Sequence, residues 1–309
     1  MKNKTIFNTI TIIGMGLIGS SICRAAKHFE IANKIVAYDK DPAVQLKVEG
    51  LNIADLVCKN LKDSVSDSDL VIISTPVGTI PSLAKEIVCS LKKGATLTDT
   101  GSVKGSVFKF FNENNFEDIN IIPSHPVAGT ENSGPEHGFH ELFLDRWCIF
   151  TPLPNASKRS LEDLKSLWSK FGSKVEIMDP FRHDLILAIT SHLPHLISYN
   201  IVGLASDIEK IKESEVIKYS AGGFRDFTRI AASDPIMWRD IFLNNKDAVI
   251  EVLGRFIEDL SALQKAIRWD DGEFLEQKFI KTRNIRNKIF SAGQGEFENE
   301  KLNKIKDLK

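Results

Sequence analysis

The sequence predicts an α/β fold, with an N-terminal domain built on a mostly parallel sheet and an all-helical domain after it. Three observations predict this. Short β-branched runs alternate with helical stretches through the first half of the chain, as in a parallel sheet whose strands are joined by helices. Residues 70–74 read as a continuous apolar run, the mark of a strand buried on both faces. Beyond Asp179-Pro180 helical periods replace strand runs altogether.

Taken in order, residues 9–13 read as a strand, 17–29 as a helix and 34–38 as a second strand. Residues 80–91 have helical spacing, and a further strand begins at 95–97. Strands are also expected at 119–122 and 147–150, an amphipathic helix at 160–171 and a last strand at 174–177. In the second domain Leu185, Ile189, His192, Leu196 and Tyr199 recur at helical spacing, as do Ile241, Val249, Val252, Leu253, Phe256 and Leu260. The expected domains are therefore 1–179 and 180–309. The charged tail from Gly293 is expected to be solvated or frayed.

The first predicted strand runs into Gly14-x-Gly16-x-x-Gly19, which opens the first predicted helix with Leu17 and Ile18 in its first turn. In a dinucleotide-binding domain of the Rossmann type, these glycines give a tight turn, a close approach to pyrophosphate and close helix–strand packing. The helix N-terminus adds unpaired N–H groups and partial positive charge. Asp39 ends the second strand 20 residues after Gly19, where a carboxylate accepts from the adenosine ribose hydroxyls and repels a 2′-phosphate. NAD is the expected cofactor, although Lys40 beside it softens that repulsion. Thr75 and Pro76 close the fourth strand after Ser74 and are expected to border the cofactor.

Composition narrows the partners. The chain has 309 residues, 40 basic and 41 acidic side chains and a formal net charge of -1. That balance argues against a nucleic-acid binder working by phosphate neutralisation. Cys23, Cys58, Cys89 and Cys148 are widely spaced, which suits free thiols in a reducing cytoplasm and not a disulfide framework or a zinc site. The basic start and apolar residues 10–22 imitate a signal peptide, but cleavage there would remove the glycine motif. No apolar run is read as approaching the ~18 residues of a membrane span.

Four segments are more polar than a core or linker requires. They are residues 99–104 at the end of a strand, with Ser102; residues 124–131 just past a strand, with His125 and Glu131; residues 222–229, which join two helical stretches, with Arg225, Asp226 and Arg229; and His183-Asp184 followed by Ser191-His192-Leu193-Pro194-His195. The histidine spacing admits a metal site, but no H-E-x-x-H or carboxylate–histidine cluster completes a ligand set, so none is expected. Together, behind the glycine motif, these segments resemble the prephenate and arogenate dehydrogenases, from about residue 10 to about residue 293.

The resemblance implies a reaction. Prephenate carries a ring hydroxyl para to a quaternary carbon bearing a carboxylate. Removing hydride from the hydroxyl carbon makes a ketone, and loss of carbon dioxide then aromatises the ring. The resemblance makes His125 the catalytic base on the hydroxyl and Ser102 its hydrogen-bonding companion. Arg229 would pair with a substrate carboxylate, with Asp226 and Trp238 positioning it. Glu131 would belong to a polar network at the mouth of the site. His195 would meet the substrate side chain, with His192 and Ser191 beside it. The helical domain would form a homodimer. No N-terminal chorismate mutase domain and no C-terminal regulatory domain of the ACT type are expected, so tyrosine feedback would act at or near the active site.

Alternatives remain open at this level. Arogenate carries an ammonium where prephenate has a keto group, and Asp184 or Asp226 could receive it, making the enzyme an arogenate or dual-specificity dehydrogenase. A non-catalytic NAD-sensing regulator has the same fold, but would have no reason to keep Ser102, His125 and Arg229 together.

Overall fold

The computed structural model describes residues 5–114, 116–212 and 218–291; the tail from Gly293 lies outside them. Six parallel strands form the main sheet: β1 (Phe7–Ile13), β2 (Ala32–Tyr38), β3 (Leu56–Val57), β4 (Leu70–Ile73), β5 (Thr96–Asp99) and β6 (Asn120–Ile121). Their order is β3-β2-β1-β4-β5-β6. The chain reverses its direction of travel across the sheet between β1 and β4, and ligands of such sheets bind beyond the strand ends at that switch point.

The sequence explains the burial. Successive side chains of a strand point to opposite faces. Ile10 and Ile12 of β1, with Leu70 and Ile72 of β4, join a core with Ile22 and Trp168. Ile13, Val71 and Ile73 join a second core with Ile80 and Phe111 on the other face. All four residues of β4 are inaccessible to solvent, as its unbroken apolar run predicts. Thr11 is equally buried, and its hydroxyl donates to the Ser64 carbonyl at 2.6 Å.

The helices of this half are α1 (Leu17–His28), α2 (Pro42–Leu51), α3 (Leu61–Val65), α4 (Ile80–Ile87), α5 (Gly105–Glu113) and α6 (Lys158–Lys170). The later strands depart from one continuous sheet. The strands β7 (Ser124–Pro126), β8 (Trp147–Phe150) and β9 (Lys174–Ile177) make a separate sheet, with β7 antiparallel to β8 and β8 parallel to β9. The changeover is at Pro123. Ile122 still donates to Leu97 of the first sheet, whereas Pro123, lacking an N–H, offers its carbonyl to Thr151 of the second.

The remaining described elements are helical: α7 (Pro180–Leu187), a π turn (Ala188–His192), α8 (Leu193–Lys212), α9 (Gly222–Thr228), α10 (Pro235–Asn244), α11 (Lys246–Arg268) and α12 (Gly272–Ser291). Asp179 caps α7 by accepting from Phe181 and Arg182, with Pro180 at the first helical position. By packing, the chain divides after Ile250 into two compact units. The helical run Pro180–Ile208 has 29 residues and a mean hydropathy of 1.3 over 18 of them, enough to cross a membrane by length and composition alone. This corrects the expectation that no run approaches that size; His183, Asp184 and His192 had masked it. Those three are buried and bonded to other parts of the protein, while Leu185, Ile189, Val202 and Leu204 on the same run are exposed.

Candidate active site

The glycine motif has the form its spacing demands. Gly14 holds φ +92°, and a Cβ on it would lie 2.7 Å from the Ser74 carbonyl oxygen. A Cβ on Gly19 would lie 2.0 Å from the Gly14 oxygen, so α1 can approach β1 only with glycine there. Gly16 is different: it is exposed, and a Cβ would meet nothing within 4 Å. It is the N-cap of α1, without a side-chain cap or an acidic residue in the first turn. The N–H groups of Leu17 and Ile18 thus stand at an uncapped helix N-terminus beside open space, which fits a pyrophosphate. Asp39 accepts from Met15 N at 2.8 Å and from Asp41 N at 2.9 Å, so its carboxylate braces this loop as well as ending β2.

The strand ends connect this loop to the chemistry. Gly14 abuts Ser74 and Thr75, and Thr75 accepts from the Thr79 hydroxyl at 2.7 Å, next to exposed Pro76. The Ser74 and Thr100 hydroxyls are 3.0 Å apart. Ser124 donates to the Asp99 carbonyl at 2.7 Å. Beneath them Lys104 forms a fully buried ion pair with Asp99 and donates to the Ser124 carbonyl at 2.7 Å. Burial raises the Asp99 carboxyl and lowers the Lys104 ammonium, and their mutual attraction opposes both shifts. This buried strut ties the end of β5 to β7.

His125 therefore lies on β7, its Cα paired with Ile149, and not in a loop past a strand as its sequence context implied. Its Nδ1 shares a 2.8 Å hydrogen bond with His183 Nε2. His183 Nδ1 lies 2.8 Å from Asp184 Oδ1, and the Asp184 carboxylate also accepts from the main-chain N–H groups of Lys104 and Gly105, both at 2.7 Å. Burial holds the His125 imidazole well below the usual histidine value, helped by His183, Lys104 and His192 nearby. Burial also lowers His183, against the pull of Asp184.

The other histidines sit on the π turn and α8. His192 is fully buried, with Nδ1 3.0 Å from Asn245 Nδ2, and burial lowers it to about 4. His195 Nδ1 donates to the Ser191 carbonyl at 2.9 Å, and its ring stacks on Trp238 at 3.6 Å between centroids. Burial lowers His195, opposed by its hydrogen bond to Ser191, and the charge of Arg229 lowers it further. Arg229 in turn pairs with Glu131 at 2.6 Å. The residues 222–229 are not a joining segment as expected: 222–228 are α9, held to α8 by the Ser198 hydroxyl on the Phe227 carbonyl at 3.2 Å.

Ser102 is half-buried in the turn after β5, and no hydrogen bond among the described residues links it to His125. Asp226 and Arg225 are exposed on α9. Sequence reasoning missed the parts played by His183, Lys104 and Asn245. His183 was visible one turn into a helix marked by Asp179-Pro180; Asn245 carried no local signal. Among the described residues no group of three or more His, Cys, Asp or Glu is placed to hold a metal. A surface hollow of about 460 Å³ beside Arg24, Lys27, His28 and His140 is lined by none of these residues.

Comparison with known proteins gives this arrangement a family. Residues 22–177 match the model of the prephenate dehydrogenase nucleotide-binding domain, and residues 179–281 that of the prephenate dehydrogenase dimerization domain. A cyclohexadienyl dehydrogenase of Zymomonas mobilis is 42% identical over 91% of this chain and 96% of its own. A prephenate dehydrogenase of Bacillus subtilis is 30% identical over 91% of this chain and 76% of its own. The crystal structure of prephenate dehydrogenase from Aquifex aeolicus, in complex with hydroxyphenyl propionate and NAD+, superposes with a TM-score of 0.85 at 33% identity, covering 94% of this chain and 100% of that one. The chain belongs to the prephenate dehydrogenase family of oxidoreductases.

Proposed function

We propose that this protein oxidises prephenate with NAD to 4-hydroxyphenylpyruvate and carbon dioxide, in the cytoplasm, as a homodimer. The observation that carries the reading is the continuous path from the Gly14 loop through Ser74, Thr100 and Ser124 to a buried, neutral His125. NAD is supported by the open face of Gly16 and by Asp39 at the end of β2. The functional division is at residue 179, with nucleotide binding before it and substrate binding and dimer formation after it. The exposed apolar residues Leu185, Ile189, Val202 and Leu204 support a second copy as their cover.

NAD, held by the Gly14 loop, the N-terminus of α1 and Asp39, would supply the acceptor for the hydride of the hydroxyl-bearing carbon. His125 takes the hydroxyl proton as that bond breaks, and the O–H electron pair becomes the carbonyl bond. When the carbon–carboxylate bond breaks, its electrons flow through the ring to the carbonyl oxygen. His125 returns the proton there, so no proton is consumed overall. Ser102 hydrogen-bonds beside the hydroxyl. Arg229 receives a substrate carboxylate through two parallel N–H donors, with Glu131, Asp226, His195, His192 and Ser191 around the side chain.

Dual use of arogenate is a second reading, favoured by the likeness to the Zymomonas mobilis cyclohexadienyl dehydrogenase. Asp184 is not the group to receive the arogenate ammonium, because its carboxylate is buried and already takes three N–H donors. Asp226, exposed one turn before Arg229, is free of that objection. Supplying NAD with prephenate or with arogenate and following NADH absorbance tests both readings. Reduction with prephenate alone gives the first, and reduction with both gives the second. Reduction with neither removes the assignment and leaves a nucleotide-binding sensor.

A further inference from the structure

Asp184 reaches the two innermost histidines by two different groups. Its carboxylate faces main-chain N–H donors at both oxygens, so the contact with His183 Nδ1 is an N–H donating to it. A neutral imidazole has a single N–H. His183 Nε2 is therefore bare and accepts from His125 Nδ1 at 2.8 Å. This leaves His125 with Nε2 free of a proton, the state a base needs.

The second branch starts at the Asp184 carbonyl oxygen. It can only accept, so the group facing it at 2.8 Å is the Asn245 NH2. The same NH2 lies 3.0 Å from His192 Nδ1, which therefore accepts. The His192 proton sits on Nε2, an atom that is buried and has no hydrogen-bond partner among the described residues. A buried N–H without a partner is unfavourable, and an acceptor on a bound ligand removes that cost. Gly105 permits the arrangement, since a Cβ there would lie 2.7 Å from Asp184 Oδ2.

We propose that Asp184 imposes opposite tautomers on these two rings, making His125 a proton acceptor through His183 and His192 a proton donor to a substrate oxygen through Asn245. His183, Asp184 and Asn245 are then positioning residues, and the assignment of a substrate oxygen to His192 rests on the function proposed above. The paired tautomers separate two tasks that one ring cannot perform at once.

The test is the long-range proton–nitrogen NMR spectrum of the full chain labelled with 15N-histidine, near pH 7.5, with signals assigned by single-histidine variants. The expected spectrum shows His125 protonated on Nδ1 and His192 protonated on Nε2. Either ring in the other tautomer, or averaging between the two, overturns the proposal. Asp184→Asn presents an NH2 to His183, reverses the chain of donors and is expected to lower kcat by about 10²–10⁴-fold while NAD affinity is kept. Asn245→Leu is expected to release the His192 tautomer and raise the prephenate KM about tenfold, with kcat nearly unchanged, for the loss of one buried hydrogen-bonding arrangement. An unchanged His192 signal in Asn245→Leu counts against the second branch. If Asp184→Asn does not fold, the wild-type spectrum and Asn245→Leu still decide. The spectrum needs no turnover, so failure to oxidise prephenate would remove the functional reading and leave the tautomers standing.

Discussion

Glu131 holds Arg229 in a 2.6 Å ion pair across 98 positions of sequence. The guanidinium proposed to bind a substrate carboxylate is therefore already engaged, and the substrate must compete with Glu131 for it. Arg229→Ala should raise the prephenate KM about 10- to 100-fold, the worth of a charged hydrogen bond of about 1.5–3 kcal/mol. Glu131→Gln should lower KM by no more than about fivefold, because a half-exposed pair contributes at most about 1 kcal/mol. Steady-state kinetics on both variants check this; an unchanged KM in Arg229→Ala would remove Arg229 from the substrate site.

His125→Asn should lower turnover by about 10²–10⁴-fold, the usual contribution of a positioned acid–base group. NAD affinity, read by fluorescence titration, should stay within about twofold, since a fully functional glycine loop needs no histidine. Near-native turnover would take His125 out of the mechanism.

Two glycines in one motif should respond in opposite ways to alanine. Gly19→Ala places a methyl 2.0 Å from a main-chain oxygen, and a clash with backbone should cost at least the ~1–3 kcal/mol of ordinary overpacking. Gly16→Ala meets nothing, so its melting midpoint should be unchanged while NAD binding weakens. Thermal melts with and without NAD separate the two, and a destabilised Gly16→Ala without cofactor would contradict the assignment of that open face.

Acid should destabilise the fold through its histidines. Burial holds His125, His183 and His192 below their usual value, the last at about 4. Between about pH 6.5 and the folded values, the unfolded chain takes protons that these rings refuse. Stability is thus fully present above about pH 6.5 and falls as pH drops, by up to about 1.4 kcal/mol per pH unit for each group. Urea unfolding at pH 7.5, 6 and 5 measures the slope; a midpoint independent of pH over that range would show the rings to be solvated. The same shift should leave the base competent, with no loss of kcat/KM from His125 ionisation down to pH 6.

Much of the fold was legible because burial on both faces of β4 leaves no room for a polar residue, and because Gly14 and Gly19 answer to contacts that only glycine permits. The site was legible in its residue types and only partly in its geometry. Residues 222–229 looked like a joining segment because two glycines disfavour helix, yet α9 forms with support from α8. His125 looked like a loop residue because Pro123 and Pro126 surround it, yet that proline pair marks a change of sheet. Asn245 lies 61 positions from Asp184, and nothing local in either segment announces a bond between them. Leu185 and Ile189 share a helical stripe with His192, but they are exposed while it is buried, because the stripe crosses a change of helical pitch.

That change of pitch has a consequence for the length of the chain there. In the π turn the N–H of Leu193 reaches back five residues to Ala188, so this turn holds one residue more than an α-helical turn. Each residue of an α-helix advances the side-chain direction by about 100°. The wider turn absorbs that extra residue, so His195 keeps the direction it would have on a continuous α-helix one residue shorter, with its ring on Trp238. Ile189 and Thr190 are exposed in that turn, so removing one position there should let the helix close to α pitch with His183 and His195 still in register: the segment carries a residue the helix does not need.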